Sequence, residues 1–109
     1  MSLHNFWVID GRPINIGYYG VCGYIVSTDD SAVFQGRSYN ALVQRLSGVS
    51  LYTERIKNES VRVIADALES NQWRPEFEAR FYVTEREYQE LTRMFRDYAN
   101  AGAELHGDW

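Results

Sequence analysis

The sequence contains one cysteine, Cys22, so it admits no intrachain disulfide and its fold rests on packing alone. Histidine is almost as scarce, with only His4 and His106. One thiol and two imidazoles, without paired metal-ligand spacing, fall short of the four ligands of a structural zinc site, so no metal is expected. Neither a Walker lysine motif nor a Gly-x-Gly-x-x-Gly turn occurs, and no cofactor is expected. The eleven basic residues never form a run and the net charge is −4, which disfavours a nucleic-acid partner, since such a partner needs clustered cations to neutralise phosphates. Apolar runs stay far short of a membrane span, so no membrane is expected either. Met1 to His4 does not read as a secretory signal. With the lone thiol, this points to a cytoplasmic protein, and a bacterial or phage origin is expected. There is no repeat, linker or low-complexity tract, and residues 1–109 are expected to form a single compact domain.

What is present is apolar and aromatic. Hydrophobic residues make up 45% of the chain, and three Trp, eight Tyr and five Phe supply large buriable areas. That is enough to offset chain entropy in a short domain, as a monomer or a homodimer. The pattern predicts an α+β fold, with a small antiparallel sheet packed by two or three helices. Phe6–Ile9 is a β-prone run stopped by the turn pair Asp10-Gly11; residues 21–28 and Ala32–Phe34 continue an N-terminal meander across Asp29-Asp30-Ser31. From Ser38 or Asn40, taken as N-caps, Leu42, Val43 and Leu46 mark a helix closed by Gly48. Residues 49–57 fit strand or helix. Asn58 or Ser60 then caps a helix with Val61, Ile64, Ala65 and Leu68 on one face.

In the last third, Phe77, Ala79, Phe81 and Val83 alternate with polar residues, which predicts a strand over 76–83. Thr84 and Glu87 have capping-box spacing, and Tyr88, Leu91, Phe95 and Tyr98 form a helical stripe up to Gly102.

Few residues suggest chemistry. Glu85-Arg86-Glu87 resembles the paired-glutamate motif of ADP-ribosyltransferases, but a capping box explains it better. Cys22 sits in an apolar stretch and is expected to be a buried, inert thiol.

The opening His4-Asn5-Phe6-Trp7-Val8-Ile9-Asp10-Gly11, with Gly17-Tyr18-Tyr19-Gly20, resembles the start of circularly permuted papain-like (NlpC/P60-related) amidases. Residues 79–88 are similar to a strand entering a helix in the same proteins. The resemblance implies that His4 is a catalytic base in a cell-wall amidase or type VI secretion effector. That family carries an Asn-Cys pair at the start of a helix shortly after the segment resembled by 79–88, and no such pair follows here. Cys22 does not occupy the matching place, so the implied protein is an inactive relative or a fragment, with His4 and Cys22 as its one conceivable dyad.

The reading that the residues favour is a small non-catalytic protein-interaction module, comparable to immunity proteins or phage-encoded inhibitors. Tyr, Trp and Arg dominate binding hot spots. The candidate contact residues for a protein partner are Arg12, Tyr18, Tyr19, Tyr24 and Trp109.

Overall fold

The computed structural model describes residues 3–108. Strands β1 (His4–Ile9) and β2 (Arg12–Pro13) form a hairpin closed by Asp10 and Gly11, which both adopt positive φ (51° and 77°). This is the mirror-image turn that Asp-Gly favours, because its twist matches the flanking strands. β3 (Ile25–Val26) and β4 (Ala32–Phe34) form a second hairpin. Then come a 3₁₀ turn over Gly36–Ser38, α1 (Asn40–Ser47), β5 (Arg55–Ile56), α2 (Asn58–Ser70), α3 (Pro75–Phe81), α4 (Glu85–Asn100) and β6 (Glu104–Asp108). The sheet is antiparallel, ordered β3-β4-β1-β6-β5, with β2 also on β1.

The protein is thus α+β, but two parts of the sequence-based expectation are corrected. Residues 76–83 are not a strand: Pro75–Phe81 is helical, making four α-helices among the described residues. Pro75 sits at the first helical position, where its missing N–H costs nothing. Glu76 and Glu78 lie in the positive first turn and Arg80 in the last. The apolar alternation that suggested a strand contains an i,i+4 pair, Phe77 and Phe81, whose rings meet at 6.2 Å, while Ala79 is exposed. The second correction is β6. It pairs with β1 over five residue pairs and lies between β1 and β5, so the C-terminal segment is a sheet interior.

The expected caps also differ. Tyr39 and Lys57, neither of which caps its helix with a side-chain hydrogen bond, precede α1 and α2. Asn40 instead accepts from Leu51 N at 2.7 Å, and Asn58 donates to the carbonyls of Ala99 and Ala103. These amides tie distant segments together. Within 49–57 only Arg55–Ile56 is strand, and within 21–28 only Ile25–Val26. The capping box of Thr84 and Glu87 is present.

Trp7 anchors the core. Its ring stacks on Tyr98 at 4.2 Å and meets Phe95 edge-on at 5.3 Å, joining β1 to α4. Leu42, Ile64, Leu68 and Leu91 fill the helical layer.

Candidate functional site

β1 alternates its side chains, sending Asn5 and Trp7 into the core while His4 and Phe6 face outward. The register carries that outward face across five strands. Ile25 pairs with Val33, Val33 with Phe6, Phe6 with His106, and His106 with Arg55. Directly opposed residues share a face, so these five form one row across the sheet, roughly 19 Å long at the usual strand spacing. Ile25 is 62% exposed, Arg55 is exposed, and Phe6, Val33 and His106 are half-buried. No described element covers the row.

The row has an apolar end and a charged end. Phe6 and His106 are in ring contact at 5.5 Å. Arg55 grips Glu104 with both Nε and Nη2, at 2.9 and 2.8 Å, and His106 Nε2 lies 3.1 Å from the same carboxylate. The hydrogen bonds from Arg55, then His106, hold Glu104 well below the usual carboxylate range, at about 2. A depression of about 560 Å³ lies here, bounded by Phe6, Pro13, Arg55, Glu104 and His106.

Buried Asn5 fixes the two central strands. Its Nδ2 donates to Leu51 O at 3.1 Å and, more weakly, to His106 O at 3.4 Å. Its Oδ1 accepts no N–H or O–H and instead presses on Gly36, where a Cβ would lie only 1.6 Å away.

The residues singled out from the sequence scatter. Arg12 is exposed on β2 beside the sheet face, and Tyr18 is 75% exposed on the 14–24 loop. Tyr19 and Tyr24 point inward and bind that loop to α4. The Tyr19 hydroxyl donates to Asp97 at 2.8 Å, and the Arg93 guanidinium lies 4.4 Å over its ring. The Tyr24 hydroxyl bonds Asn15 Oδ1 at 2.6 Å and that of Tyr98 at 2.9 Å. Burial raises both phenols above their ordinary pKa. Neither side chain is offered to a partner as a free surface. Trp109 lies outside the described residues.

His4 opens β1 opposite Asp108, whereas Cys22 lies in a turn. Cys22 is exposed rather than buried, which corrects the sequence-based expectation. The strand expected over 21–28 forms only at Ile25–Val26, which leaves Cys22 in the turn before it. Its Sγ contacts Gln35 Oε1 at 3.1 Å, and no hydrogen bond joins it to an imidazole among the described residues.

Comparison of the chain with models of known protein families, with curated proteins and with solved structures returns no match. The functional reading therefore rests on the molecule's own surface. No helix among the described residues is long and apolar enough to cross a membrane. The sheet-face row was missed from the sequence because β6 was missed: without it, Phe6 has no cross-strand neighbour in His106. Strand alternation in Glu104-Leu105-His106 was the one available signal, with Leu105 buried and its neighbours not.

Proposed function

We propose that the protein is a small interaction module that binds another protein through the uncovered face of its sheet, acting as immunity proteins and phage inhibitors do. The observation that carries this reading is the single cross-sheet row Ile25–Val33–Phe6–His106–Arg55. It sets exposed and half-buried apolar side chains, Ile25, Val33 and Phe6, beside a polar margin at His106 and Arg55, the mixture of apolar and polar groups that protein interfaces carry. The face is roughly 24 Å across its five strands and about 20 Å long only at β1, narrowing to the two-residue edge strands β3 and β5, a patch on the scale of the smaller, transient interfaces.

A different partner fits better than a second copy. A two-fold axis crossing the row at Phe6 sets Ile25 of one chain against Arg55 and Glu104 of the other, and one running along the row sets Arg55 against Arg55. The short edge strands, two residues each in β3 and β5, oppose edge-to-edge association.

The test is a photo-crosslinking amino acid placed at Phe6, at Ile25 and, on the helical side, at Val63, which is 48% exposed. In the native host, both sheet positions are expected to yield the same heteromeric adduct and Val63 none. Phe6→Arg is expected to abolish the adduct formed through Ile25 without altering the circular dichroism spectrum. Equal adducts from Val63, or an adduct of twice the 12.7 kDa chain mass, refute the proposal.

A further inference from the structure

A second surface carries an inference independent of the sheet face, with which it shares no residue. A cleft of about 480 Å³ opens beside the 3₁₀ turn and the end of α3, and its walls include Arg37, Arg80, Phe81, Tyr82 and Glu87. Four of the eleven basic residues of this chain are matched by carboxylates among the described residues. Arg55, Arg74, Arg93 and Arg96 are held by carboxylates, and Arg62 bonds Asn58 Oδ1. Among the basic residues without a carboxylate partner in the described residues, Arg37 and Arg80 are set apart by lining the same cleft.

The one carboxylate in the cleft offsets at most one of these two positive charges and forms an ion pair with neither among the described residues. Glu87 Oε2 accepts from the Tyr39 hydroxyl at 2.8 Å, and Oε1 accepts from Thr84 N at 3.3 Å. Glu87 is therefore committed to the start of α4, and two guanidiniums remain for one carboxylate in a chain of net charge −4. A concave site with excess positive charge focuses the field, and a guanidinium fork matches a carboxylate geometrically.

The remaining wall is aromatic. The Arg80 guanidinium lies 5.9 Å from the Phe81 ring centroid, and Tyr82 is 85% exposed. Tyr82 ends α3 in the left-handed conformation (φ 59°), where glycine is the usual occupant. A bulky aromatic thus stands at a position that strains it and leaves it in solvent.

We propose that this cleft seats an acidic segment of a protein partner, with a side-chain carboxylate taken by Arg37 and Arg80 and the segment packed on Tyr82. The aromatic wall favours a peptide over a free anion. Two cations without a continuing basic stripe are too few for a nucleic-acid backbone.

Cys22 lines the same cleft and is the only thiol in the chain, so it serves as a built-in reporter. The full-length protein is treated with the neutral reagent 4,4′-dithiodipyridine at low salt, with and without hexaglutamate. Hexaglutamate is expected to slow labelling saturably. Arg37→Gln and Arg80→Gln are each expected to raise the half-protecting concentration about two- to five-fold, the range for an exposed ion pair. Arg12→Gln, at an exposed arginine on β2 outside the cleft, is expected to change nothing. Tyr82→Ala tests the aromatic wall and is expected to weaken protection as well. Absence of protection, protection insensitive to Arg37 and Arg80, an equal effect of Arg12→Gln, or equal protection by inorganic phosphate or free glutamate overturns the proposal. Unchanged circular dichroism verifies that each variant is folded.

Discussion

The contact between Asn5 and Gly36 gives a test whose sign is set by geometry. Gly36 has an ordinary negative φ, so its backbone accepts alanine, and only space forbids it. A Cβ there would lie 1.6 Å from Asn5 Oδ1 and 2.8 Å from Asn5 Cγ, so the amide must move by more than an ångström. That movement breaks the hydrogen bonds from Asn5 Nδ2 to Leu51 O and His106 O in a fully buried site. Gly36→Ala is therefore expected to cost about 3 kcal/mol, the loss of buried hydrogen bonds plus overpacking strain. Asn5→Ala is expected to cost about 2–3 kcal/mol, from the Leu51 carbonyl left unpaired and the space vacated. In the double variant the new methyl enters that space, with Leu3 Cδ2 at 3.3 Å, the end of a flexible side chain, as the close neighbour left to give way, and alanine also restricts the unfolded chain by about 0.4–1 kcal/mol relative to glycine. The double variant is then no less stable than Asn5→Ala alone, a coupling of about 3 kcal/mol. Urea unfolding at neutral pH, followed by tryptophan fluorescence, to which buried Trp7 contributes, measures all four proteins. If the two costs add to within about 0.5 kcal/mol, the two sites are independent and the close approach is not what places Asn5.

Three further outcomes follow from the same contacts. Tyr82→Gly relieves a left-handed residue at the end of α3 and is expected to raise stability by up to about 1 kcal/mol in urea titration while weakening hexaglutamate protection of Cys22. Thr84→Ala removes one half of the α4 capping box and is expected to cost about 1 kcal/mol in the same titration. Glu90 is lowered to about 2 by hydrogen bonds from Arg93 and then the Gly20 amide, and Glu104 to about 2 by Arg55 and His106. A folded-state pKa below the unfolded value stabilises the protein above the unfolded pKa, and that stability is lost as pH falls toward the folded one. Stability should thus decline between about pH 5 and pH 2, less steeply in Glu90→Gln and Glu104→Gln, by under about 1 kcal/mol each because these carboxylates are solvent-screened. Midpoints measured at pH 7, 4 and 3 that fall equally in the variants contradict this.

Local structure was legible wherever one side chain dictates its own backbone or its own periodicity. Asp10-Gly11 specified a hairpin turn, Gly48 a left-handed helix end, and Thr84-Glu87 a capping box. The stripes of α2 and α4 named their buried faces correctly, since 3.6-residue spacing over three or four turns has no strand counterpart. Segment 76–83 was misread because its helix, the seven residues Pro75–Phe81, is too short for period alone to separate Phe77-x-x-x-Phe81 from alternation.

The candidate site was not legible, because no residue in it signals its neighbours. Tyr19 and Tyr24 are as aromatic as Tyr18, and only the docking of the 14–24 loop onto Asp97 and Tyr98 decides which of the three faces solvent. Composition and turn chemistry determined an α+β domain with an amphipathic C-terminal helix, since burial of apolar faces and local backbone preference act at short range. Insertion of Glu104–Asp108 between β1 and β5 is a long-range pairing that depends on register rather than on any single residue. That pairing aligns Ile25, Val33, Phe6, His106 and Arg55 into one surface, and the folding of Phe81 and Tyr82 toward Arg37 likewise exists only once the chain has closed on itself.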